Sequence, residues 1–195
     1  MTGDTAGQPR WVGGLLGRPG LAVAFVWGAA EGSLFFLVPD IVITLAALFS
    51  ARQSLRHLVA VTAGSVFAGL VMYQWAERDP AAARAVVGRV PFVSPAMFEA
   101  VARDMEAYGG WGLCKGPMSG IPYKVYAVEA PPRVGMGAFL AASVPARLER
   151  LLLSWVLFAA AGLLAPPRGP RSRRRLLGAY AAYWVAVYAF YWGTV

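Results

Sequence analysis

One cysteine, Cys114, and one histidine, His57, occur in 195 residues. A single cysteine excludes an intrachain disulfide and a thiolate metal cluster. A histidine-based catalytic centre would rest on His57 alone. That residue falls in Arg52-x-x-x-Arg56-His57, which reads as a wet, interfacial basic patch. A His-Glu-x-x-His metal site is excluded, and no Gly-x-Ser-x-Gly elbow occurs. Charge is scarce as well: charged residues make up 14% of the chain, where a soluble domain carries about 25%. Hydrophobic residues make up 58% and mean hydropathy is +0.53. The balance reads as a single-domain integral membrane protein. Lysine is nearly missing, since every basic residue except Lys115 and Lys124 is arginine.

The formal net charge is +8, but no nucleic-acid surface is read from it. The densest basic run, Arg168, Arg171 and Arg173 to Arg175, directly precedes an apolar stretch. That placement reads as a positive-inside signal facing the cytoplasm, with contact to anionic lipid as an added role. No cofactor is expected.

What the chain does contain is a pattern used twice with opposite sign. The first copy runs Glu31-Gly-Ser-Leu-Phe-Phe-Leu-Val-Pro39-Asp40, the second Lys115-Gly-Pro-Met-Ser-Gly-Ile-Pro122-Tyr-Lys124. Each begins with a charged residue and a glycine, Gly32 or Gly116, and ends in a second charge beside a proline. A charge at bilayer depth costs about 2.5–3.5 kcal/mol on insertion scales, so such residues are kept because a substrate or ion uses them or because they pair.

Residues 1–19 read as a polar cytoplasmic tail. Residues 21–49 are apolar, and one straight helix of that length would run ~44 Å against a ~30 Å hydrocarbon core. With Pro39 mid-stretch, two readings stand: a tilted, kinked span, or a re-entrant hairpin of two half-helices meeting near residues 32–40. The hairpin is favoured because both acids then share a protein-lined cavity. Residues 58–76 form a cleaner span, with Tyr73 and Trp75 at an interface and Gly64 and Gly69 able to admit a close neighbour. Ser94-Pro95 opens a helix whose apolar stripe, Met97, Phe98, Val101, Met105 and Tyr108, suits an amphipathic helix on the membrane surface; a packing helix outside the membrane is the alternative. Glycines and prolines crowd 108–130 and predict a second re-entrant segment. A break at Pro145-Ala-Arg147, a span near Leu151–Leu164, an Arg-rich loop over 166–175 and a last span over 176–195 follow. The expected fold is therefore an all-α membrane bundle with two facing re-entrant hairpins and an interfacial helix.

Interrupted segments in corresponding halves point to a transporter site at the bilayer midplane. Glu31 and Asp40 can neutralise Lys115 and Lys124, and a desolvated carboxylate can exchange protons. A phosphate headgroup can take the carboxylates' place on the lysines, helped by N–H groups at half-helix N-termini. The predicted site is thus Glu31, Asp40, Lys115 and Lys124, supported by Gly32, Pro39, Gly116, Pro122 and Tyr123. Its partners are anionic membrane lipids and protons; the oligomeric state stays open, a homo-oligomer included. Two other classes remain. In one the charges only lock the fold. In the other Ser119 is the nucleophile of a Ser–Lys hydrolase with Lys115 or Lys124 as base.

These residues resemble the DedA/VTT family over roughly residues 21–165. The family's first re-entrant segment carries a Glu followed by Pro and an acid, as in Glu31, Pro39 and Asp40. Its next helix carries glycines and a Tyr, as in Gly64, Gly69 and Tyr73. Its second re-entrant segment has basic residues around a Pro, as in Lys115, Pro122 and Lys124. The resemblance implies two facing hairpins in a multi-pass inner-membrane protein. It also implies movement of lipids such as undecaprenyl phosphate or phospholipids, flippase- or scramblase-like, with proton coupling and no enzyme activity. Two departures stand out. Lysines replace the family's usual arginines and lose the bidentate fork to phosphate, and Val128-Glu129-Ala130-Pro131 replaces its usual Ala-Gly. Arg147 and Arg150 read as interfacial anchors, with the family's basic residues near the following helix as the alternative.

Overall fold

The computed structural model describes residues 10–36, 38, 40–166 and 169–193; residues 1–9, Leu37, Pro39, Pro167, Arg168, Thr194 and Val195 lie outside them. The described residues form α-helices and one 3-10 helix, with no strand.

Helix α1, Arg10–Leu16, occupies part of the expected polar tail and buries Val12. Helix α2, Arg18–Ser33, follows after a 53° bend. The bend has a chemical signature. Pro19 has no N–H to give the carbonyl of Leu15 four residues back, and His57 Nε2 fills that place at 2.7 Å. His57 is fully buried, which corrects its reading as a wet residue: it completes a helix that proline left short of a donor.

Helix α2 ends where the Ser33 hydroxyl bonds the carbonyls of Ala29 and Ala30. Leu34, Phe35, Phe36 and Val38 are non-helical. Helix α3, Asp40–Phe49, then returns, because the ring of Phe49 at its far end meets Trp11 of α1, centroids 5.2 Å apart. Helices α2 and α3 are therefore the legs of a hairpin whose tip lies at residues 34–38. Ser50 caps helix α4, Ala51–Arg78, by accepting from the Gln53 N–H. Helices α2 and α4 touch backbone to backbone: a Cβ on Gly64 would lie 2.0 Å from the Phe25 carbonyl oxygen. Tyr73 faces the protein interior rather than its surface. It is buried and donates to the Val134 carbonyl at 2.9 Å.

Asp79 caps helix α5, Pro80–Val87. Helix α6, Pro95–Tyr108, follows. Its stripe residues Phe98, Val101 and Met105 are buried in the core. That favours the packing helix over one laid on lipid, since protein already covers the stripe. A 3-10 segment, Gly109–Lys115, leads to helix α7, Gly116–Ser119, and after the left-handed Gly120 (φ +73°) to helix α8, Tyr123–Glu129. This is the second reversal. Its base is held where Arg133 meets Glu106 at 3.3 Å, and its tip is residues 116–122.

Helix α9, Met136–Leu164, runs unbroken through Pro145, so the expected break is absent. One lost hydrogen bond costs about 3 kcal/mol, and α9 is held along its length by α3, α4 and the 3-10 segment. Helix α10, Pro170–Gly193, takes Arg171 and Arg173 to Arg175 into its first turns, where a loop was expected. Two apolar clusters form the core. One joins α4, α5, α6, α8 and α9; the other joins α2, α3, α4 and α9. Helices α4 and α9 belong to both.

By length and apolarity one helix, α4, can cross a membrane, and the bent pair α1–α2 becomes a second if taken as one span. The spans expected near 151–164 and 176–195 fall in α9 and α10, which do not meet that measure.

Candidate functional site

The two hairpin tips meet. Lys124 Nζ, at the start of α8, donates to the Phe35 carbonyl in the first tip at 2.8 Å. That oxygen lies beyond the end of α2 at Ser33, where the helix no longer supplies it with an N–H. Around the meeting point lies a cavity of about 350 Å³, lined by Glu31 and Asp40 of the first hairpin and by Gly116, Pro122, Tyr123 and Lys124 of the second. Helix α9 adds Arg147 and Arg150, and α10 closes the cavity with Tyr183, Trp184 and Tyr188.

Both acids are buried, Glu31 7% and Asp40 4% exposed. Their partners are not the lysines. Glu31 pairs with Arg147, which also donates to Ser65 Oγ at 3.1 Å and lies over the Tyr123 ring at 5.1 Å. Asp40 pairs with Arg150 at 2.7 Å and accepts from Ser154 Oγ at 2.6 Å. The expected acid–lysine pairing is thereby corrected. The reason is reach: Arg147, Arg150 and Ser154, with Ser143, recur at helical spacing along α9 and form one polar stripe, whose two arginines line the cavity. Ser143 accepts from the Tyr123 hydroxyl at 2.8 Å. Read as a stripe inside an apolar run, those four residues were a signal the sequence offered; read singly, Arg147 and Arg150 pass for anchors.

The two lysines part company. Lys124 is 2% exposed and enters none of the ion pairs among the described residues. Lys115 leaves the site altogether. Its side chain is half exposed and bonds Asp104 of α6 at 2.5 Å, which holds its ammonium above the ordinary lysine range. It also lies over the Tyr108 ring at 4.7 Å. Among the supporting residues, Gly32 packs against Ser65 and Ala68, Gly116 against the Tyr126 ring, and Pro122 starts α8 with fixed φ. Pro39 lies outside the described residues. A Cβ on Gly69 would meet the Tyr123 hydroxyl at 2.1 Å, so this glycine makes room for Tyr123.

Helix α10 reaches both the first tip and α3: the Tyr188 hydroxyl accepts from the freed Val38 N–H at 2.9 Å, and the Tyr180 hydroxyl donates to the Ile41 carbonyl in the first turn of α3 at 2.5 Å. Phe92 stands at the cavity edge with φ +70°, a strained conformation for a non-glycine residue. Glu129 has a structural account: Arg84 at 3.0 Å and Arg133 at 3.1 Å clamp it at the base of the second hairpin. Ser119 bonds the Gly116 carbonyl, with both lysines engaged elsewhere. Among the described residues no group of three or more His, Cys, Asp or Glu is placed to hold a metal ion.

The arrangement can hold an anion beside buried carboxylates, next to apolar and aromatic walls. No family model, no curated protein and no solved structure matches this chain.

Proposed function

We propose that the chain is a multi-pass inner-membrane protein of DedA/VTT type and that its two hairpins are re-entrant. In this reading they move a phosphate-bearing lipid through the cavity between them, with protons exchanged at the acids. The observation that carries the reading is the meeting of both interrupted segments at one cavity holding Glu31, Asp40, Lys124, Arg147 and Arg150. Broken helices leave backbone groups that lipid cannot satisfy, so they are tolerated at membrane depth only against protein or a wet cavity. Here Tyr188 meets the Val38 N–H and Lys124 the Phe35 carbonyl.

The chemistry follows from the donors. An ammonium has three N–H groups, and one of Lys124's goes to Phe35. The others are open to a phosphate oxygen, with Arg150 beside them. Protonating Glu31 or Asp40 releases its arginine to the same anion; losing the proton restores the pair and expels the anion. The apolar wall from α10 and Phe36 suits the start of a hydrocarbon tail.

One observation favours a second reading, in which the charges only lock the fold: each acid already has an arginine. Proteoliposomes carrying labelled phospholipid separate the two. The transport reading expects Lys124→Met, which leaves both acid–arginine pairs intact, to retain normal abundance and lose lipid movement. The locking reading expects abundance to fall with activity, and variants that move lipid normally refute the site.

A further inference from the structure

Three cations, Lys124, Arg147 and Arg150, face two carboxylates, Glu31 and Asp40, across the cavity. Among the described residues no other charged side chain lines it. The groups around the acids are otherwise neutral: Ser65 from α4, Tyr123 from α8, Ser154 from α9, and Tyr180 and Tyr188 from α10. At the flank, Lys115 and Asp104 cancel one another, with Tyr126 bonding the same carboxylate. Glu149 of α9 is exposed and does not line the cavity. The surplus is therefore a single positive charge, and Lys124 is where it sits.

A buried site resists net charge of either sign, because every uncompensated charge has lost its hydration. From this we infer that the cavity is matched to a headgroup of one negative charge, a phosphodiester, and that a dianionic phosphomonoester enters only with one additional proton. The proton comes from solvent and ends on Glu31 or on a phosphate oxygen; the count is the same either way. If Lys124 arrives as an amine, both headgroups take up one more proton and the difference between them stays at one. The inference rests on the headgroup reading of the cavity and sharpens it, because coupling then depends on which lipid is carried.

Calorimetric titration of the full chain in detergent tests this, using hexyl methyl phosphate as the diester and hexyl phosphate as the monoester. Two buffers of different ionisation enthalpy at about pH 8 give the protons bound, since the second phosphate ionisation lies near pH 6 and the free monoester is then a dianion. The expected result is one more proton taken up with the monoester. Its affinity relative to the diester should fall about tenfold per pH unit from there upward. Glu31→Gln raises the surplus by one, so the protons taken up with the monoester should fall by one; Asp40→Asn serves if that variant does not fold, and the wild-type comparison decides alone if neither does. Equal proton uptake with the two phosphates in the wild type, or monoester uptake unchanged in a folded variant, overturns the inference and leaves the transport reading standing. Binding of neither phosphate at any pH overturns the headgroup reading and the inference with it.

Discussion

The two interrupted segments look like one device written twice with opposite charges, yet the chain uses them differently. In the first, both charges point to the cavity, because Glu31 ends a helix, Asp40 begins the next, and the tip between them turns the chain back. Each then finds an arginine on α9. In the second, the same nine-residue spacing sends its charges apart. Lys115 closes a 3-10 segment packed on α6 and turns to Asp104, while Lys124 opens α8 and points to the first tip. Equal spacing along the chain does not mean equal direction in space when helix type and break position differ. The first segment is a compensated site, and the second supplies one uncompensated charge.

The largest test of that contrast is Arg147→Ala. It strands Glu31 as a buried, unpaired carboxylate, and breaking such a pair costs about 3–5 kcal/mol. Thermal unfolding in detergent should show the loss, and the double variant Glu31→Gln with Arg147→Met should recover most of it. A double variant as unstable as Arg147→Ala would mean that the arginine acts by packing alone.

Next in size is the footing of each hairpin on α4. Gly64→Ala drives a Cβ into the Phe25 backbone, which cannot give way as a side chain can. A cost of about 1–3 kcal/mol is expected from overpacking. Gly69→Ala instead pushes Tyr123 off Ser143 and Arg147. It should disturb anion binding more than stability, in contrast with Gly64→Ala; equal effects on both measures would dissolve the distinction.

Lys124→Met comes third. Removing an uncompensated buried cation and keeping its volume should change stability by less than about 1 kcal/mol, because the ammonium's hydration was lost on burial. Phosphate binding should nevertheless disappear. A strongly destabilised variant with binding intact would move the surplus charge elsewhere.

The sequence carried the helical class, the interruption of both segments and six of the cavity's residues, Glu31, Asp40, Gly116, Pro122, Tyr123 and Lys124, because breakers and charges inside apolar runs are local signals. It carried less where partners are distant in the chain. His57 looks wet beside Arg52 and Arg56, and only the missing N–H of Pro19 explains its burial. Pro145 suggests a break that packing on both sides of α9 overrides. Nothing local marks Tyr188, whose hydroxyl takes the Val38 N–H freed at the first tip, or Tyr180, which bonds the Ile41 carbonyl of α3. Glu129 gains its role from Arg84, 45 positions away.

The smallest effect belongs to Lys115, and its smallness is the point. Its pair with Asp104 is half exposed, where water screens the attraction. The hydrogen bond that Lys115 gives to Asp104 raises the lysine's pKa. A raised pKa in the folded state means that the contribution is fully present below the ordinary lysine range and fades only as pH climbs through the raised value. That contribution should therefore not vary with pH near neutrality. Lys115→Gln should leave phosphate binding as it is and lower the unfolding midpoint only slightly at neutral pH, with the difference from wild type vanishing in strongly alkaline solution. Matched calorimetry on Lys115→Gln and Lys124→Gln puts the asymmetry at risk: loss of binding in both would make the lysines a working pair after all and return the second segment to symmetry with the first.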